Sequence, residues 1–484
     1  MSTAATERLK QPPVFKLSCL TVMCERFGFY VLTFFIVLYA KSIFNMSDTN
    51  AFILFGVFQA LAYLATAAGG YLADNVFGIR RCLVTGLFLE ATGLTLLSIP
   101  CRTIFPISLA MIIIGVGLFK TAPTHLLGRS YKENDPRVDS GFTLYYMCIN
   151  IGSLISSTLV AILQKMYGYD VAFLVGGLGL YCGLLFYFLF RHTAIEPDST
   201  VGRSKLPAAR GIKIFLMIIA GVLLSIFLVS HPEIANIFLV VATIGLFAYF
   251  LMEIIRSPKV ERFKIAACLS LIAMGLIFFI LYQQAYTSMV LFVNRSIDRH
   301  FLSFEIPTVC FFALNPFWVI VLGPLLASFY KYLSNRGGDW HITFKFPLGL
   351  LITSGCFWAL VLGAYFANSA SLVASGWMVL AYFLYTLGEM LVSALGVAMV
   401  THIAPKRMYG VMMGAWFVVG MSLASALSGV FAGIANVPDT LQDPAAILHI
   451  YTIAFAKIGA ASTILALLCF VVGPYIKRMS EAKG

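Results

Sequence analysis

Cys24-Glu25-Arg26-Phe27-Gly28-Phe29-Tyr30 lies inside an apolar run that extends from Leu17 to Ile43. The run is long enough to cross a bilayer, and it carries two adjacent charges where hydrocarbon should be. A charged side chain at the bilayer centre costs about 2.5–3.5 kcal/mol on insertion scales, so one that persists faces a partner and a water-filled cavity. Glu25 and Arg26 therefore mark a pathway for a polar solute or a proton, and the sequence reads as a transporter.

Composition supports the membrane premise. Of 484 residues, 60% are hydrophobic and 11% charged, against roughly 25% charged in soluble domains. The polar stretch Met1 to Pro13, followed by a long and charged apolar segment, predicts no cleavable signal peptide. Ten cysteines form no CxxC pair. Most lie in apolar segments, which predicts small core residues and neither disulfides nor metal ligands.

Apolar length and breakers place spans at 15–43, 50–74, 82–99, 104–127, 138–164 and 170–190, then 214–230 and 235–255, then 263–294, 306–330, 343–366, 373–403, 408–434 and 446–476. The prediction is an all-α polytopic membrane protein with fourteen transmembrane helices arranged six, two, six. A polar stretch from Arg191 to Lys213, with Pro197, Gly202 and Pro207, reads as a linker. The predicted division is a first six-helix bundle over 1–190, a linker with two extra helices over 191–262, and a second six-helix bundle over 263–484.

Basic residues set the orientation. Of 33 Lys and Arg, 25 fall in segments on the side of the N-terminus. Five (Lys41, Arg102, Lys165, Arg295, Arg299) fall on the other side, and three (Arg26, Lys120, Lys457) lie within spans. The positive-inside rule puts both termini in the cytoplasm. The same loops explain the net charge of +12 without a nucleic-acid partner.

A loose repeat relates the halves: Gly69-Gly70-Tyr71-Leu72-Ala73-Asp74 ends the second span, and Gly323-Pro324-Leu325-Leu326-Ala327-Ser328 ends its counterpart. Six-helix halves related in this way resemble the major facilitator superfamily, whose solute site lies between the halves near the midplane. Gly78, Arg80 and Arg81 after the first copy resemble that superfamily's cytoplasmic loop motif.

The acids well inside spans are Glu25, Glu90 and Glu389, and the bases Arg26, Lys120 and Lys457, a balance expected if each buried charge is paired or faces a cavity. At ~1.5 Å per residue, Glu25, Lys120, Asn150, Asn315, Glu389 and Trp416 lie roughly 12–24 Å from their helix starts, in one broad middle band. Fixed cations from the first half and a carboxylate from the second suit a zwitterion, with Arg26 and Lys120 for its carboxylate and Glu389 for its ammonium.

Glu25-Arg26-Phe27, Gly117-Leu118-Phe119-Lys120, Tyr145-Tyr146-Met147-Cys148-Ile149-Asn150, Leu314-Asn315-Pro316, Gly388-Glu389 and Gly414-Ala415-Trp416-Phe417 form a set of motifs that runs almost end to end. Together they resemble the proton-coupled oligopeptide transporters, and Glu25-Arg26-Phe27 is similar to that family's E-x-x-E-R-F. The two extra helices and Val437-Pro438-Asp439 look most like the bacterial di- and tripeptide permeases. The resemblance implies a symporter that imports small peptides with protons by alternating access, in the bacterial inner membrane, with lipid as its surroundings and no cofactor. It implies that Arg26, Lys120 and Tyr30 hold the peptide carboxylate, that Asn150, Asn315 and Glu389 hold its backbone and amine, and that Tyr63, Tyr145 and Trp416 line side-chain pockets.

Two positions depart from that pattern. Val22 stands where the family's first motif acid falls, and Gln283 stands where many members carry an acid before a Gln, here Gln284. Proton coupling is then expected at Glu25, with Glu389, Glu90 and His125 as further candidates. The missing acids keep open an uncoupled facilitator or exchanger of another zwitterion or anion. With no HExxH, no GxSxG on a span and no evident catalytic pair of aspartates, the reading is not an enzyme.

Overall fold

The computed structural model describes residues 10–131, 135, 137–194, 207–301, 303–336, 341–405 and 408–481. Part of the predicted linker, 195–206, lies outside the described residues. Among the described residues there are fourteen long helical segments: α1 Val14–Phe44, α2 Asp48–Asn75, α3 Ile79–Leu96, α4 Ile104–Gly128, α5 Ser140–Tyr167, α6 Tyr169–Phe190, α7 Ala208–Ser230, α8 Pro232–Arg256, α9 Lys259–Ser296, α10 Leu314–Asn335, α11 Ile342–Tyr365, α12 Gly376–Ile403, α13 Val411–Ala435 and α14 Pro444–Ser480.

Thirteen of these are apolar and long enough to span a membrane on their own composition. The exception is α3, which is short and carries Arg80, Arg81 and Glu90. Its buried residues (Ile79, Cys82, Leu83, Gly86, Leu87, Glu90, Ala91, Gly93, Leu94) recur at helical spacing along one face. That face packs against α4 and α6, so tertiary burial holds a helix that its composition supports weakly.

Several helices are broken where polar groups are needed. In α4 the regular helix stops at Phe119 and resumes at Ala122; Pro123 lacks the N–H that would bond the Phe119 carbonyl, which leaves Lys120 at the break. A π-turn interrupts α5 at Ser156–Val160 and another interrupts α13 at Val418–Leu423. In α9 a 3₁₀ turn covers Gln283–Tyr286. Short strands, unpredicted, tie the loops: Ile297–Asp298 runs parallel to Val373–Ala374, and His300–Phe301 antiparallel to Phe304–Glu305.

The chain divides into two compact units. One comprises the chain up to Leu32, Ala65–Ser156 and Tyr167–Ile226; the other comprises Thr33–Leu64, Ser157–Met166 and the chain from Phe227 onward.

In the first unit, glycines bring helices to backbone contact. An added Cβ on Gly115 of α4 would lie 2.5 Å from Glu90 Cγ and 2.8 Å from the Gly86 carbonyl, so the missing side chain makes the room that Glu90 fills. In the second unit, α2 meets α13 with Gly56 against the Ser425 carbonyl, and Leu239 of α8 buries itself against Ala60 and Ala426. Phe34 stacks on Phe312 with ring centroids 4.4 Å apart, and Tyr286 stacks on Phe34, Phe55 and Phe312. These faces remove large flat apolar areas from other surroundings at low side-chain entropy cost.

Lys457, expected among the buried charges, is exposed on α14.

Candidate functional site

The first unit holds a set of charges sequestered from solvent. Glu25 is fully buried and Arg26 is 7% exposed. Arg26 Nε donates to Glu25 Oε2 at 2.5 Å, and its Nη2 pairs with Glu25 Oε1. The guanidinium also lies over the rings of Phe29 and Tyr30, 4.6 Å and 5.7 Å from their centroids. Those rings follow Arg26 by three and four residues, the spacing at which helical side chains share a face. Arg26 is thus fixed by a two-point ion pair and by aromatic faces that favour a cation.

Lys120, half-buried at the break in α4, and Glu90 of α3 are electrostatic neighbours of this pair. Glu90 is fully buried, and no donor reaches either of its carboxyl oxygens. Tyr145 is buried near Glu25 and Arg26, with its hydroxyl 3.2 Å from that of Thr124. Asn150 is buried too, and its amide donates to the Tyr146 carbonyl at 3.0 Å, within its own helix.

His125 belongs to a different neighbourhood. Its Nδ1 is 3.5 Å from Asp74, which also accepts from Arg129 at 3.0 Å. These groups are partly exposed, and they join the repeat motif at the end of α2 to the segment after the α4 break.

The second unit holds an acid set among neutral donors. Glu389 of α12 accepts from Asn315 Nδ2 at 2.7 Å and from the Tyr282 hydroxyl at 3.3 Å. The same Asn315 amide donates to Thr386 Oγ1 at 3.1 Å. Tyr282 stacks on Tyr385 with centroids 4.9 Å apart, and the Tyr385 hydroxyl donates to the Tyr282 carbonyl at 2.9 Å. Tyr282, Thr386 and Tyr385 escaped the sequence reading because tyrosines and threonines are common in apolar helices. The signal that was available is spacing, since Thr386 precedes Glu389 by one turn. Among the described residues, no group of three His, Cys, Asp or Glu side chains could hold a metal ion.

Of the residues expected to line side-chain pockets, Tyr63 is half-buried in the second unit. Trp416 is 1% exposed. It packs edge-on against Phe279 and Phe346, and a Cβ on Gly275 would fall 2.6 Å from its ring. Gln283, at the departed acid position, donates to Ser425 Oγ at 2.7 Å; Gln284 donates to Ser428 Oγ at 3.0 Å and accepts from Ser288 at 2.8 Å.

A buried ion pair with a second cation beside it, a separate hydrogen-bonded glutamate and fourteen helices invite comparison with known proteins. The family model PTR2, described as the POT family, matches residues 53–450. The chain belongs to the POT family. The POT-family chain is 35% identical to dipeptide and tripeptide permease B of Salmonella typhimurium, over 100% of its own length and 99% of the relative's. To dipeptide and tripeptide permease A of Chromobacterium violaceum it is 34% identical, over 99% and 97%. Among solved structures, tetrameric PepTSo2 superposes with a TM-score of 0.87 at 29% identity, covering 96% of this chain and 99% of that one. A bacterial homologue of the human drug peptide transporters PepT1 and PepT2 gives 0.86 at 28%, with the same coverage. This POT-family protein is therefore an integral membrane protein of the all-α major facilitator type, and its family is one of transporters, not enzymes.

Proposed function

We propose that this protein is a proton-coupled symporter that imports di- and tripeptides by alternating access. It works in the bacterial inner membrane with both termini in the cytoplasm. The observation that carries the reading is the buried Glu25–Arg26 ion pair with the half-buried Lys120 beside it, in a chain 34–35% identical from end to end to dipeptide and tripeptide permeases.

A peptide carries a carboxylate and an ammonium. Arg26 and Lys120, with Tyr30, take the carboxylate, because a guanidinium fork and an ammonium supply directed, charge-assisted donors. Glu389 takes the ammonium, with Asn315 and Tyr282 holding its oxygens in place and Asn150 reaching the peptide backbone. Tyr63 and Tyr145 contact substrate side chains. Trp416 packs against Phe279, three residues before Tyr282 on α9.

The test is uptake of a labelled dipeptide into proteoliposomes, with and without an acid-outside pH gradient. Uptake that accelerates with the gradient and acidifies the lumen is expected, and absence of dipeptide flux overturns the reading. Flux without acidification would leave the second reading, an uncoupled facilitator, which Val22 and the Gln283 amide bonded to Ser425 favour.

A further inference from the structure

The carboxyl of Glu90 has no role in the binding scheme, and its surroundings are unusual. It is fully buried, and neither oxygen receives a hydrogen bond. A carboxylate in that condition bears its full desolvation penalty. The side chain is also placed by construction: Gly115 lacks the Cβ that would otherwise lie 2.5 Å from Glu90 Cγ.

The groups facing Glu90 are few. From α1 come Glu25 and Arg26, and from α4 comes Lys120. Besides α4, α3 packs on α6, whose one charged residue, Asp170, stands in the opposite first turn; Tyr181 of α6 is engaged with Thr92. Glu25 is the acid among these neighbours, and both of its oxygens are taken up by Arg26. Arg26 is therefore already committed to Glu25, and Glu90 is the carboxyl left without a donor.

From this arrangement we infer that Glu90 of α3 carries the transported proton, while Glu25 stays ionised as the partner of Arg26. The inference rests on the symport reading above. With Glu90 ionised and Lys120 protonated, the set of Glu25, Arg26, Glu90 and Lys120 is neutral. Proton uptake at Glu90 leaves it with one excess positive charge, in a region where charge is poorly screened. That charge attracts a peptide carboxylate without any contact between the peptide and the proton. By linkage, a bound carboxylate holds the proton on Glu90 to the same degree, and its departure releases both. The reaction is a protonation and deprotonation of one carboxyl oxygen, with no other bond made or broken.

The experiment compares wild type with Glu90→Gln and Glu90→Asp in proteoliposomes, using a labelled dipeptide and a lumenal pH dye. Dipeptide counterflow, which needs no net proton movement, reports folding and binding. The expected result is that Glu90→Gln keeps counterflow, loses peptide-driven acidification, and binds dipeptide with an affinity that no longer changes with pH and matches the acid-pH affinity of wild type. Glu90→Asp, which retains an acid, keeps acidification. A Glu90→Gln protein that still acidifies the lumen at the wild-type proton-to-peptide ratio overturns the proposal. So does one that loses counterflow together with acidification, since that assigns the residue to structure or binding. If wild type itself moves peptide without protons, the symport reading fails and the role of Glu90 falls with it, a result separable from failure of the variant alone.

Discussion

Arg295 donates to both carboxylate oxygens of Asp48, from Nη1 to Oδ2 at 2.6 Å and from Nη2 to Oδ1 at 2.9 Å. Asp48 is fully buried at the start of α2 and also pairs with Lys41. The Val437 amide donates to Asp48 Oδ2 at 3.3 Å, Arg295 reaches the Tyr451 hydroxyl at 2.9 Å, and Lys41 reaches Asp439 at 3.3 Å. Asp48 therefore joins the α1–α2 turn to α9 and to the loop before α14, and Arg295 extends the network to α14. Removing one partner of a buried ion pair costs about 3–5 kcal/mol, because the other charge stays buried and uncompensated. Asp48→Asn is expected to lose stability of that order, read from thermal unfolding of the purified protein in detergent. A loss below about 1 kcal/mol would mean that the pair behaves as a solvated surface bridge.

Gly275 and Trp416 make a second point of strain-free contact that has no slack. An alanine Cβ at 275 would sit 2.6 Å from one ring atom and 2.7 Å from another, and the ring is held from its other sides by Phe279 and Phe346. Gly275→Ala is expected to destabilise by about 1–3 kcal/mol, the usual cost of overpacking. If Trp416 instead moves freely to contact substrate side chains, the variant will keep its thermal midpoint and change only its peptide preference.

The long apolar runs made fourteen helices legible, because span length and hydropathy follow directly from bilayer thickness. Arg26 and Glu389 were legible for a related reason: a charge inside such a run has few explanations. Other features depend on tertiary neighbours and left no local mark. Lys457 sits in an apolar run exactly as Lys120 does in composition, yet its face of α14 is exposed. Asp48 reads as an ordinary first-turn acid, and its partner Arg295 is 247 residues away in sequence. Glu90 was visible as an acid in a helix, but its lack of any donor is a property of what α1, α4 and α6 fail to supply.

Glu305 offers a pH prediction outside the membrane-spanning helices. It accepts from Lys165 at 2.9 Å and pairs with Arg299 at 2.7 Å. The Lys165 hydrogen bond first, and then the Arg299 charge, hold its carboxyl below the ordinary glutamate range. A depressed folded value means that the bridge stabilises fully above the unfolded value of ~4.3 and is lost as pH falls through the lower folded value. Partly exposed pairs of this kind contribute about 0–1 kcal/mol. Glu305→Gln is expected to lower the thermal midpoint slightly and equally at about pH 7 and about pH 5, with the difference closing only in stronger acid. A difference that already shrinks between those two values would show that the carboxyl is not held low.

Glu389 is the acid to which the ammonium of a peptide is assigned, and its geometry separates recognition from support. Asn315 and Tyr282 each donate to a different oxygen, so a neutral Gln at 389 can keep much of that scaffold while losing the charge. Hydrogen bonds involving a charged group contribute about 1.5–3 kcal/mol, which corresponds to roughly a ten- to hundredfold change in apparent affinity. Glu389→Gln is expected to weaken uptake of a free dipeptide by that factor, and to leave its N-acetylated form, which has no ammonium, almost unaffected. Asn315→Ala removes a donor but keeps the charge, so it should weaken both substrates less and in parallel. The measurement is competition of each form against a labelled dipeptide in proteoliposomes containing wild type or variant. If Glu389→Gln still prefers the free amine by the wild-type margin, the ammonium is recognised elsewhere, and the carboxylate held by Asn315 and Tyr282 serves the packing of α9, α10 and α12.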